Sequence, residues 1–172
     1  MCILPKQLAL LVALLTHLTL SAQTTIWYVD IDATGTDAGT SWGNAFTDLQ
    51  SALDAADAAD QIWVAEGVYR PEVYQAFETP AGDSAKGYFY TAIAAAGSNA
   101  KDYAILGGFD GTETNASQRD PDAHPTVLRG SPTVTFECGV VGTGRSPHIL
   151  YLQNVGNGFR LDGFELRNAY ND

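Results

Sequence analysis

The sequence predicts an all-β fold: a right-handed parallel β-helix, a solenoid with one capping α-helix near its N-terminus. Three observations lead there. Strand-like apolar runs recur, and the steps from Ile105 to Leu128 and from Leu128 to Leu150 are each a little over twenty residues. A fixed period in that range signals a solenoid, because each coil buries its apolar side only against its neighbours. The second is a single amphipathic helical pattern, from Phe46 to Ala56. The third is that no comparable pattern falls between the later strands, which argues against alternating βαβ units. An antiparallel sandwich would join its strands by shorter turns than these.

The chain opens with Lys6, an apolar run from Leu8 to Leu20 and then Ser21-Ala22-Gln23. A basic start, an apolar middle and small residues before the cut are the layout of a secretory signal. A membrane-spanning helix needs roughly 20 apolar residues, whereas this run is interrupted by Thr16, His17 and Thr19. We therefore expect residues 1–22 to be a signal peptide, no transmembrane segment after its cleavage, and a secreted, extracellular or outer cell-surface protein. Cys2 precedes the apolar run, the wrong place for a lipid-anchoring cysteine, and Cys138 alone would survive cleavage, so no disulfide can form within the mature chain.

The formal net charge is -11, and loss of Lys6 takes it to -12. Such a surface repels phosphate backbones, so nucleic acid is excluded as a partner class. It also keeps an exported protein soluble and favours divalent cations. Residues 23–172 are of a length that suits one domain.

Ile26-Trp27-Tyr28-Val29 is a short β-branched and aromatic run and reads as a strand. The stretch Asp30 to Thr40, rich in Asp, Gly and Thr, is loop. Phe46, Leu49, Leu53 and Ala56 then mark one face of a helix. Thr47 and Gln50 have capping-box spacing, and Asp57 and Asp60 oppose the dipole at the far end, which places the helix end near Ala59. Further strands are expected at Ile62–Ala65, Tyr103–Leu106, Val127-Leu128, Ile149–Leu152 and Phe159–Leu161. The long gap between the first two is assigned to a surface insertion, roughly Pro71 to Ala100. The helix would cover the open strand edge and apolar core at one end of the solenoid.

Several stretches resemble secreted bacterial right-handed β-helix proteins of the pectin-lyase-like superfamily. Tyr28-Val29-Asp30, Gly39-Thr40-Ser41-Trp42 and Ala45-Phe46-Thr47-Asp48-Leu49-Gln50-x-Ala52-Leu53 resemble their start, and Ile62-Trp63-Val64-Ala65-Glu66-Gly67-x-Tyr69 their first full strand. Leu106-Gly107-Gly108-Phe109-x-Gly111-x-Glu113 is the most specific stretch, followed by Gln118-Arg119-Asp120 and Thr126-x-Leu128-x-Gly130. Leu161-Asp162-Gly163-Phe164-x-Leu166 resembles the repeating coil, while Ala38 stands where the resemblance expects an acidic residue or Asn. The resemblance implies a fold and a surface or secreted life, not one activity, since relatives include polysaccharide lyases, glycoside hydrolases and non-catalytic surface proteins. Because the chain stops at Asp172 just as a coil repeats, we expect it to be the N-terminal cap and first coils of a longer β-helix, with the remaining coils missing.

Candidate chemistry is sparse. Asp30-x-Asp32-x-Thr34-Gly35 with Asp37 echoes the oxygen spacing of a calcium loop, although Ser41 stands where a closing Glu would be. Aspartates bonding their own backbone are the default for such a loop. Calcium is thus the one metal suggested, and no other cofactor is evident. Glu113, Arg119 and Asp120 are expected to pair with one another and pin their loop. A lyase would need a basic residue beside a carboxylate-neutralising group; Arg129, Arg145, Arg160 and Arg167 lack a matching carboxylate cluster and read as solvated edge charges. His124 and His148 sit in turns beside prolines, without ligands at metal spacing. Tyr74, Tyr88, Phe89 and Tyr90, in the insertion, are the carbohydrate-binding candidates, because exposed aromatics stack on sugar rings and loops on rigid scaffolds carry binding. The alternative is that they cover the side of the fold as a small satellite core. Asn115-Ala116-Ser117 matches a glycosylation sequon by pattern only.

The expectation is an adhesin-like or carbohydrate-binding scaffold whose partner is a polysaccharide or cell-surface glycan. The alternative is the N-terminal part of a polysaccharide lyase or glycoside hydrolase with its active site beyond residue 172.

Overall fold

The structure, a computed structural model, describes residues 24–71, 89–90, 102–130, 134–135, 141–142, 149–152 and 155–167. Residues read as the export signal, most of the 71–100 insertion, Cys138, Arg145 and His148 lie outside them.

Eleven strands and one α-helix make up the described residues. In chain order they are β1 (Ile26–Val29), α1 (Leu49–Ala55), β2 (Gln61–Ala65), β3 (Gly67–Tyr69), β4 (Phe89–Tyr90), β5 (Ala104–Phe109) and β6 (Thr126–Arg129). There follow β7 (Val134–Thr135), β8 (Val141–Gly142), β9 (Leu150–Tyr151), β10 (Arg160–Asp162) and β11 (Phe164–Arg167). Every strand-like run read from the sequence contains a strand, because β-branched and aromatic residues fit a pleated, half-buried surface.

Their assembly differs from the expected solenoid. The strands form a four-stranded sheet in the order β1-β2-β5-β10 and a three-stranded sheet in the order β11-β6-β3, both wholly parallel. Strands β4 and β9 pair in parallel and β7 and β8 antiparallel. The partners Trp27–Ile62, Ile62–Ile105 and Ile105–Leu161 are separated by 35, 43 and 56 residues. Ile105 and Leu128 lie in different sheets rather than in successive turns of one repeat. A fixed period near twenty is therefore absent from the pairing, and the all-β, right-handed parallel β-helix expectation is corrected. The described residues form a parallel α/β-type arrangement of short strands and one helix.

The helix packs against β1, the edge strand of the four-stranded sheet, and against β4 and β2. Leu49, Ala52 and Leu53, with Ala56 just past its end, belong to the same buried cluster as Val29, Ile62, Val64, Tyr69, Ile105 and Leu128. Its start departs from expectation. Asp48 is the N-cap, its carboxylate accepting from Ser51 N at 2.8 Å and Ser51 Oγ at 2.6 Å. Thr47 instead donates to Asp37 from N and Oγ1, at 2.8 and 3.3 Å. The helix stops at Ala55, short of the predicted Ala59, since Asp60 turns the chain: its carboxylate accepts from Asp57 N, Thr25 N and Trp27 Nε1.

Alternate residues of the four-stranded sheet face opposite ways. Ile62 and Val64 enter the main core, while Trp63 joins Leu106 and Phe109 in a second cluster with Tyr28 and Trp42 packed against it. A parallel sheet buried on both faces accounts for the nearly continuous apolar runs of β2 and β5. Gly39 lets the β1 loop close over Phe46, which packs against the main core: its φ is +67°, and a Cβ there would lie 2.2 Å from the Phe46 ring.

Candidate functional site

The loops leaving the parallel strands carry most of the polar chemistry. In the loop after β1, Asp30 Oδ1 accepts from Asp32 N at 3.0 Å and Asp37 Oδ1 from Thr47 N, with Asp37 held at a φ of +55°. These are aspartates satisfying backbone amides, as turn chemistry dictates. Asp32 and Thr34 are exposed. Among the described residues, no group of three or more His, Cys, Asp or Glu side chains converges to hold a metal ion.

The loop after β5 is built likewise. Glu113 is buried, and its carboxylate accepts from Asp110 N at 2.8 Å, Gly111 N at 3.2 Å and Thr112 N at 3.1 Å. Asp110 accepts from Thr112 Oγ1 at 2.6 Å and Thr112 N at 2.8 Å, and that hydroxyl bond heads the causes holding its carboxyl below the usual range. Asp120 Oδ1 accepts from Asp122 N and Ala123 N. Arg119 reaches across to Asp162 at 2.5 Å and donates to Gly107 O at 3.1 Å. The three residues thus pin the loop as expected, but not through one another: each takes a different partner.

Two of the arginines read as solvated edge charges have acidic neighbours. Arg160 bonds Asp162, and Arg167 bonds Glu165 at 2.5 Å. His124 meets a carboxylate that its sequence neighbourhood did not reveal. Its Nδ1 lies 3.1 Å from Glu66 Oε2, a residue 58 positions earlier at the end of β2. The next residues along, Gly67 N and Pro125 O, are bonded at 3.2 Å where β3 and β6 pair, and this brings the two side chains together.

Of the aromatic candidates, Tyr74 and Tyr88 lie outside the described residues, and Tyr90 is described only as a residue of β4. Phe89 is 1 % exposed and packs in the main core, so no sugar ring can stack on it. Tyr69, which was not singled out, is central instead. It accepts at its hydroxyl from Ile31 N at 3.3 Å and donates to Ala65 O at 3.1 Å, tying the β1 loop to the end of β2. Burial raises its ionisation well above the ordinary tyrosine range.

Beside Tyr69 lies a shallow surface cleft of about 120 Å³, lined by Ile31, Thr47, Asp48, Val68, Tyr69 and Arg70. Ile31 and Val68 are 41 % and 42 % exposed, two apolar side chains on an acidic protein's surface. Arg70 is exposed at the cleft, where Asp48 is bound to Ser51. The lining sets the apolar Ile31 and Val68 beside the polar Thr47, Asp48 and Arg70. The signal available in sequence was Val68, an apolar residue at an outward position of a strand whose neighbour Tyr69 points inward.

No family model matches the chain, and no curated protein or solved structure matches it.

Proposed function

We propose that the chain is an exported scaffold, secreted or held at the cell surface, that binds carbohydrate in the cleft beside β3. The observation that carries this reading is the pairing of exposed Ile31 and Val68 with Thr47, Asp48 and Arg70 around one cleft. A sugar presents a C–H face and a rim of hydroxyls, and needs both kinds of surface at once. The commitment of Asp30, Asp37, Asp48, Asp110, Glu113 and Asp120 to backbone amides supports a rigid binding platform. The export reading rests on the signal-like N-terminus and the acidic charge.

The test is a glycan array followed by calorimetry on any hit, with Val68→Asp and Arg70→Ala beside the natural protein. Binding without turnover, weakened by both variants, supports the reading. Release of reducing or unsaturated sugar from a polysaccharide would replace it with the lyase or hydrolase alternative, and a blank array would remove the carbohydrate. The assay is run with and without calcium, because Asp30, Asp32, Thr34 and Asp37 share one acidic loop. A calcium requirement would give that loop a ligand role.

A further inference from the structure

We propose that Asn115 is an acceptor for an N-linked glycan. Asparagine followed two places later by a hydroxyl residue, with no proline between, is the acceptor pattern, and its confirming context is a surface loop of an exported protein. Asn115-Ala116-Ser117 is the one instance in the chain. The structure adds the geometry that the pattern lacks.

Asn115 and Ser117 are both exposed, Asn115 as the N-cap of the short 3₁₀ turn Ala116–Gln118 and Ser117 within it. Asn115 Oδ1 accepts from Ser117 N at 2.9 Å and from Ser117 Oγ at 3.0 Å. Two donors from one residue fix the amide plane and settle which arm is oxygen, because only oxygen can accept from a backbone N–H. The other arm, Nδ2, has no hydrogen-bond partner among the described residues. Gln118 locks the turn from behind, its Oε1 accepting from Asn115 N at 2.8 Å and Thr114 N at 2.9 Å. The acceptor nitrogen is therefore held out on a rigid turn while the hydroxyl that defines the pattern is seated on its own amide.

The chemistry requires a polyprenyl-diphosphate-linked oligosaccharide and a transferase. Nδ2 forms a bond to the anomeric carbon, and the bond from that carbon to the diphosphate oxygen breaks. The diphosphate leaves with the electron pair, and an Nδ2 proton passes to a base on the transferase. A structural role for Asn115 as a turn cap needs Oδ1 alone and leaves Nδ2 free for this step.

The experiment incubates the purified, folded chain with a membrane oligosaccharyltransferase and its lipid-linked oligosaccharide, and reads intact mass and peptide maps. It does not depend on the carbohydrate-binding cleft. The expected result is the addition of one glycan on the peptide containing Asn115, lost in Asn115→Gln and Ser117→Ala and kept in Ser117→Thr. Circular dichroism confirms that each variant is folded. The proposal is overturned if the folded chain gains no mass while a synthetic peptide spanning residues 112–119 is modified in the same reaction, since the turn would then withhold its nitrogen. Modification persisting in Asn115→Gln overturns it equally.

Discussion

Arg119 and Asp162 are 43 residues apart in the chain and meet at 2.5 Å, with the Arg119 side chain 16 % exposed. The same guanidinium donates to Gly107 O at 3.1 Å. One side chain thus ties the loop after β5 to both the middle of β5 and the strand β10 that pairs with it.

Arg119→Ala should cost about 1–2 kcal/mol, the range for charge-assisted hydrogen bonds reduced for the partly exposed Asp162. Arg119→Lys should recover only part, since an ammonium cannot reach two acceptors through a planar fork. Urea midpoints at pH 7 measure both, and an unchanged midpoint in the alanine variant would show the pair to be energetically neutral.

Acid should destabilise the fold through two carboxyls. Hydrogen bonds from Arg119 and then Arg160 hold Asp162 below the usual carboxylate range. At Asp60, burial pushes upward but is outweighed by donors from Asp57, Thr25 and Trp27, and the net shift is also downward. A folded value below the unfolded one, about 3.9 for Asp, means the contribution is fully present above that value and fades as pH falls through the folded one. Stability measured from pH 6 to pH 2 should decline most steeply below about pH 4. Arg119→Ala should flatten the part due to Asp162, and an unaltered profile in that variant would reassign it.

Thr126 is 1 % exposed, and its hydroxyl accepts from Gly108 N at 2.9 Å while lying 3.2 Å from Ala65 O as donor. Thr126→Val keeps the shape and strands the buried Gly108 N–H, while Ala65 O keeps the Tyr69 hydroxyl, so a loss of about 1–3 kcal/mol is expected. Thr126→Ser should lose much less. Equal losses in the two variants would point to the methyl group, and not the hydroxyl, as the stabilising feature.

Phe109 is fully buried, stacked on Trp63 at a centroid distance of 4.9 Å and 11°, with Trp42 tilted at 5.5 Å. Phe109→Ala should cost about 3–5 kcal/mol by loss of transfer energy and the cavity left behind. Phe109→Leu, which refills part of the space but loses the stacking on Trp63, should cost less than the alanine variant. Tryptophan fluorescence should shift to longer wavelength in the alanine variant as Trp63 and Trp42 gain water, and an unshifted spectrum would contradict the packing.

Local order was legible in the residues. β-branched and aromatic runs announced the strands, and the Asp-rich stretches announced loops whose carboxylates bond their own amides, since both follow from neighbours in sequence. The helix was legible as a face but not at its ends, because Thr47 is claimed by Asp37, ten residues away, and Asp48 takes over as cap. The candidate site was hardly legible. Phe89 looks the same in sequence whether it lies on a surface or in a core, and only its place beside Tyr103 and Leu128 decides.

The sequence by itself determined where six of the eleven described strands, the Asp-rich loops and the amphipathic helix face fall, and that the chain is acidic with a signal-like start. Tertiary structure alone decided which strands are neighbours. Ile105 pairs with Ile62 and Leu161 across unequal separations, so spacing along the chain could not reveal the sheet order. Parallel pairing is non-local: its hydrogen bonds join backbones that look alike in any sequence, and partner choice is settled by side-chain burial on both faces of the assembled sheet. For the same reason Glu66 and His124, and Ile31 and Val68, become neighbours only once the sheets have formed.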